Sequence, residues 1–199
     1  MNKKYFAEGL GTFTLALVVY LAASNVPGLP LPIPVLAALA LGLCVYTIGP
    51  ISGCHINPAV TLGAFSIKKI SANEAVGYIV AQFVGAGLAL GVGSWVFNMN
   101  PGISPGPFTW TAFLAEALGA FFFTFGIASV IYGKTPSVAS GVVIGGSLFL
   151  GVLVASLAGS AGILNPAVAF TLHSFNWTYA LAPIVGSVIG MKKYRYLAV

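Results

Sequence analysis

Acidic residues are almost missing. Glu8, Glu74 and Glu116 are the only acids in 199 residues, and aspartate does not occur. Carboxylates so sparse leave no obvious pair for general acid–base work. Charge of either sign is scarce: Lys, Arg, Asp and Glu make up 6% of the chain, against roughly 25% in an ordinary soluble domain. Eleven charges cannot cover the surface of a soluble protein of this size. Cysteine is limited to Cys44 and Cys54, without metal-ligand spacing, so neither a disulfide framework nor a zinc site is expected. No nucleophile–base pair, metal cluster or phosphate loop is found, and neither an enzyme nor a cofactor is expected. The chain is 58% hydrophobic, which excludes disorder. What remains is an integral membrane protein. Its net charge of +5 then concerns orientation in a lipid bilayer, not nucleic acid.

A membrane helix needs ~20 mainly apolar residues to cross ~30 Å of hydrocarbon. Six segments qualify: 6–24, 34–49, 72–96, 109–133, 136–158 and 177–191. They are too long and too evenly apolar for barrel strands. Pro- and Gly-rich connections stand out at 25–33 and 98–107. The first segment lacks a small-residue cleavage motif and reads as a retained span. All eight basic residues (Lys3, Lys4, Lys68, Lys69, Lys134, Lys192, Lys193, Arg195) fall on one side of this topology. The positive-inside rule makes that side cytoplasmic, with both termini inside a multi-pass protein of the cell membrane. Ser71 and Glu74 form a capping box at the start of the third span. Asn176-Trp177-Thr178 is a glycosylation sequon on the opposite side.

The single domain, 1–199, contains itself twice. Ala7-Glu8-x-Leu10-Gly11-x-Phe13 recurs as Ala115-Glu116-x-Leu118-Gly119-x-Phe121, and Asn57-Pro58-Ala59-Val60 recurs as Asn165-Pro166-Ala167-Val168, both after 108 residues. Farther on, 81–85 aligns with 182–186 at an offset of 101, so the second copy has lost about seven residues. The copies are 1–96 and 109–199. Each holds three spans, an odd number, so the second enters the membrane upside down.

Asn is a preferred helix N-cap and Pro a preferred first helical residue. Asn57-Pro58 and Asn165-Pro166 therefore start helices, expected to run to about Ser66 and Ser174. Ten residues at ~1.5 Å give ~15 Å, half of the hydrocarbon. Two such half-helices, one from each face, bring their positive N-terminal ends together at the bilayer centre. That field repels cations. The Asn57 and Asn165 amides donate to a passing solute oxygen, and a water so held breaks a proton wire. An ion-coupled transporter also uses inverted repeats, but needs midplane charge for coupling, and only Glu8 and Glu116 are available.

These stretches, with Ser52-Gly53-x-His55-x-Asn57-Pro58-Ala59-Val60-Thr61 and Ala81-Gln82, resemble the aquaporin family (major intrinsic proteins) along the whole chain. The resemblance implies an all-α membrane bundle of six transmembrane helices plus two half-helices, one pore per subunit, and a homotetramer. It implies that Glu8 and Glu116 brace the half-helix loops, a proton relay through them being the alternative. It also implies that His55 supports the first loop. His173 has no counterpart.

The outer filter departs from the family pattern. Where relatives usually carry Arg, this chain has Val168. The other expected filter positions are Gly162, Leu153 (or Val152 with one residue of slippage), and either Ala37 or Leu41, one helical turn apart. Ala169 stands where glycerol-selective relatives carry Asp. The pore midplane is expected at Asn57, Pro58, Ala59, Asn165, Pro166 and Ala167. The expected function is a passive channel for water and small uncharged solutes through an apolar outer filter. The alternative is a glycerol-, metalloid- or ammonia-type facilitator with little water selectivity.

Overall fold

A computed structural model describes residues 3–24, 31–102 and 106–199. Among these, eight α-helices follow one another without a strand: α1 (Lys3–Ala23), α2 (Ile33–Ser52), α3 (Pro58–Ser66), α4 (Ala72–Gly91), α5 (Trp110–Ile131), α6 (Ser140–Leu157), α7 (Pro166–Thr171) and α8 (Trp177–Ala198). Helix α4 runs on into a π-turn, Val92–Val96, and a 3-10 turn, Ser137–Ala139, leads into α6. Parts of the connections expected at 25–33 and 98–107 (residues 25–30 and 103–105) lie outside the described residues.

Among the described residues five helical segments are long and apolar enough to cross a membrane: Lys3–Ala23, Ile33–Ser52, Ala72–Val96, Trp110–Ile131 and Ser137–Leu157. Helix α8 is equally long at 22 residues, but Lys192, Lys193 and Arg195 occupy its end and lower its apolarity. It packs along α5 as α4 packs along α1. The two contacts rest on matching close approaches. A Cβ at Gly85 would strike the Gly9 carbonyl, and one at Gly186 would strike the Ala117 carbonyl. Small residues let membrane helices approach this closely.

The packing follows a twofold exchange. Helices α1, α2, α3 and α4 correspond in order to α5, α6, α7 and α8. Half-helix α3 packs on α8, and α7 on α4, so each half-helix is held by the other copy's last helix. Three contacts gather the basic segments at one end: Lys4 pairs with Glu74 at 2.7 Å, Lys69 lies over the Tyr132 ring, and Tyr132 stacks on Tyr194.

The helix starts follow local chemistry. Asn57, Ser71, Thr109, Asn165 and Asn176 each cap a helix by accepting a backbone N–H at its first turn. The Ser71–Glu74 capping box is present. Asn176 is thus the cap of α8, and Thr178 of its sequon is buried. The second half-helix is shorter than expected. It ends at Thr171, not Ser174, because His173 turns to φ +56° and Ser174 N–H closes on the Ala169 carbonyl at 2.8 Å. This is a Schellman-type stop. Lys68 (φ +62°) ends α3 in the same way, which gives His173 a structural counterpart in the first copy.

Candidate functional site

The site is built from two loops that precede α3 and α7. Each is tied to a buried glutamate of the same repeat. Glu8 is fully buried and accepts four hydrogen bonds: from Ser52 Oγ (2.6 Å), His55 N (2.9 Å), Ile56 N (2.7 Å) and Gln82 Nε2 (2.8 Å). Glu116, also fully buried, accepts from Ser160 Oγ (2.6 Å), Ile163 N (3.0 Å) and Leu164 N (2.8 Å). Ser52 and Ser160, His55 and Ile163, and Ile56 and Leu164 are each 108 residues apart. The repeat offset thus extends to the bracing hydrogen bonds. Ser52 belongs to the stretch that carries the family resemblance, and the offset alone pairs Ser160 with it.

Ile56 and Leu164 carry the strain of the turns. Their φ angles are +38° and +54°, in the left-handed region that a β-branched residue such as Ile56 rarely enters. Such a conformation costs on the order of 1–3 kcal/mol and persists only where the surroundings over-determine it. Both backbone groups of each residue are committed here. The N–H goes to the glutamate, and the C=O accepts from the opposite repeat: Asn165 Nδ2 donates to Ile56 O (3.1 Å), and Asn57 Nδ2 to Leu164 O (3.0 Å). The Asn57 Oδ1 meanwhile accepts from Ala59 N (2.8 Å), and the Asn165 Oδ1 from Ala167 N (3.0 Å). The two loops are therefore clasped to each other by a reciprocal pair of bonds. Each carboxamide nitrogen retains a second hydrogen.

Asn57 and Asn165 lie on the wall of a cavity of about 220 Å³. Pro58, Ala59, Pro166 and Ala167 do not; they are buried behind it in the first turns of α3 and α7. Of the six residues expected at the midplane, the two asparagines line this cavity. The rest of this cavity is mostly hydrocarbon. Ala37 and Leu41 both lie on it, as successive turns of one α2 face. Gly162 and Val168 also lie on it. Leu153 does not, and Val152, one residue earlier on α6, takes that place. Nothing in the evenly apolar run of α6 marks which residue faces inward, which is why the sequence left a one-residue slip.

A second cavity, of about 760 Å³, opens at the end where Lys4, Lys69 and Glu74 lie. Leu41, His55 and Phe123 border both cavities and so mark their junction. His55 is held from two sides. Its Nδ1 lies 3.2 Å from Thr61 Oγ1, and the Tyr78 ring meets it edge-on at 5.2 Å. Thr61 Oγ1 also accepts from Gln82 Nε2 at 2.9 Å.

Known proteins match this chain from end to end. The family model described as "Major intrinsic protein" matches residues 1–194. Aquaporin AqpM of Methanothermobacter marburgensis is 31% identical over 99% of this chain and 98% of its own length. Glycerol uptake facilitator protein-like 6 of Lactiplantibacillus plantarum is 34% identical over 94% of each chain. In structure, the aquaglyceroporin from Plasmodium falciparum superposes with a TM-score of 0.76 at 22% identity, over 96% of this chain and 94% of that one, so the fold is the same. With its repeated Asn-Pro-Ala boxes, braced loops and full-length match, the chain belongs to the major intrinsic protein family.

Proposed function

We propose that this protein is a passive channel for water and small uncharged solutes in the cell membrane, with both termini cytoplasmic and four copies to an assembly, each copy carrying its own lumen. One observation carries the reading. The N-terminal ends of α3 and α7 meet where Asn57 and Asn165 present their carboxamides to a lumen that is otherwise nearly all hydrocarbon. A solute oxygen there accepts the second Nδ2 hydrogen of each asparagine. A water held in this way turns its own hydrogens outward, along the pore, and passes no proton across the midplane. Helix N-termini carry ~0.5 positive charge each, and two at one point repel cations in a low-dielectric setting.

The outer filter is proposed at Ala37, Val152, Gly162 and Val168, with no cation among them. Without a guanidinium, exclusion of ions rests on the midplane. The filter offers little to strip water from a polar solute, and an apolar wall wets poorly. This favours neutral solutes with apolar surface over a strict water filter, in line with the name of the Lactiplantibacillus relative. Stopped-flow light scattering on proteoliposomes tests the reading. Water and glycerol permeabilities above those of empty vesicles, unaffected by a proton gradient, are expected. No increase for either solute overturns the channel; saturating flux that needs a proton gradient points to a coupled transporter instead.

A further inference from the structure

The two halves of the lumen differ in one respect that the repeat does not require. In the first copy, His55, Thr61 and Gln82 form a hydrogen-bonded chain leading from Glu8 to the lumen. The matching residues of the second copy are Ile163, Ala169 and Pro183, none of which has a polar side chain. Among the described residues Glu116 consequently has no side-chain amide bonded to it, and the outer half has no equivalent chain.

The direction of each bond in the first copy is fixed by the carboxylate. Gln82 Nε2 faces Glu8 Oε2 at 2.8 Å, so it must donate there. Its other hydrogen goes to Thr61 Oγ1. Thr61 has one hydrogen of its own, and its remaining partner is His55 Nδ1. The Nδ1 atom therefore accepts, and the proton of the neutral ring sits on Nε2. Among the described residues Nε2 has no hydrogen-bond partner, and it is not among the sealed, unpartnered polar atoms, which are Gln82 Oε1 and Ser187 Oγ. It is thus open to the lumen, on a residue only 9% exposed, at the junction bordered by Leu41 and Phe123.

We infer that the specificity-determining constriction of this chain lies at the junction of Leu41, His55 and Phe123, where His55 Nε2–H, oriented through Thr61 and Gln82, selects solutes that present a hydrogen-bond acceptor. This rests on the channel reading. It moves the discriminating donor from the outer filter, whose wall offers only the Ser156 hydroxyl, to the cytoplasmic side of the asparagine pair. Gln82 and Thr61 are positioning residues: both are fully buried and neither lines either cavity.

Two measurements test it. The first is the histidine tautomer, read by 15N–1H correlation NMR on reconstituted, 15N-histidine-labelled protein carrying His173→Gln, which leaves one histidine. Nε2–H alone is expected, and Thr61→Val should give a mixture of both tautomers. An Nδ1–H ring, or a Thr61→Val spectrum that stays purely Nε2–H, overturns the relay. The second is the ratio of glycerol to water permeability in proteoliposomes. His55→Ala removes one donor and opens the junction, and should change the ratio by about fivefold, the worth of a single hydrogen bond. Flux with an unchanged ratio overturns this inference alone. No flux in the unsubstituted protein overturns the channel reading as well.

Discussion

Glu8→Gln is the most informative substitution that keeps the shape of the site. The carboxylate takes four hydrogen bonds, two on each oxygen. An amide replaces one oxygen by an NH2 that cannot accept. If that NH2 takes the Oε1 place, Ser52 can turn its hydroxyl to accept, but His55 N–H is orphaned. If it takes the Oε2 place, Gln82 can flip its unpartnered Oε1 into reach, but Ile56 N–H is orphaned. Either way one buried backbone N–H loses its partner, at about 1–3 kcal/mol. The surviving bonds change from charge-assisted to neutral, which costs about 1 kcal/mol each. The sum is about 4 kcal/mol, borne by a loop whose Ile56 already sits at φ +38°. For a chain of this length that corresponds to a drop in melting temperature on the order of 10 °C. The assay is thermal unfolding of the purified protein in detergent, with water permeability of the same sample in vesicles. We expect both to fall while proton leak stays at the level of empty vesicles. An unchanged melting temperature would refute the bracing role. Proton conduction that is present in the parent and lost in the variant would instead favour a relay.

Val168→Arg places a guanidinium on the wall of the smaller cavity and should lower glycerol permeability well below that of water; stopped-flow shrinkage with glycerol unchanged or faster would remove Val168 from the filter. Gly186→Leu drives a side chain into the Ala117 carbonyl and should abolish the α5–α8 contact, seen as loss of monodisperse protein on size exclusion. Tyr78→Phe removes the donor to the Ser52 carbonyl (2.6 Å, buried) and should cost about 1–2 kcal/mol, read as a small drop in melting temperature without loss of water flux.

Much of the site could be read in the sequence because its physics is local. A helix start at Asn-Pro is decided by the cap and the ring, so Asn57 and Asn165 were found with their helices. The 108-residue offset carried over to every bracing hydrogen bond of Glu116, though Ser160 belongs to no motif of its own. Side-chain direction was harder. In α6 every neighbour of Leu153 is apolar or small, so only packing reveals that Val152 faces inward. The stop of α7 at Thr171 was missed because His173, not glycine, takes the left-handed position. The polar chain through Gln82 and Thr61 joins α4 to α3 across 21 residues, and periodicity within either segment carries no trace of it.

The clasp between the two loops has a consequence for how the molecule is made. Asn57 needs the carbonyl of Leu164, 107 residues later, and at ~5–20 residues per second that partner is synthesised roughly 5–20 s afterwards. The first loop therefore waits, with the carboxamide nitrogen of its asparagine unengaged, until the second arrives from the opposite face. Only a chain whose second half has inserted in the inverted sense can deliver Leu164 O and Asn165 Nδ2 to the same spot. The bonds that hold the midplane thus also check topology, and a nascent chain threaded the wrong way round cannot close them.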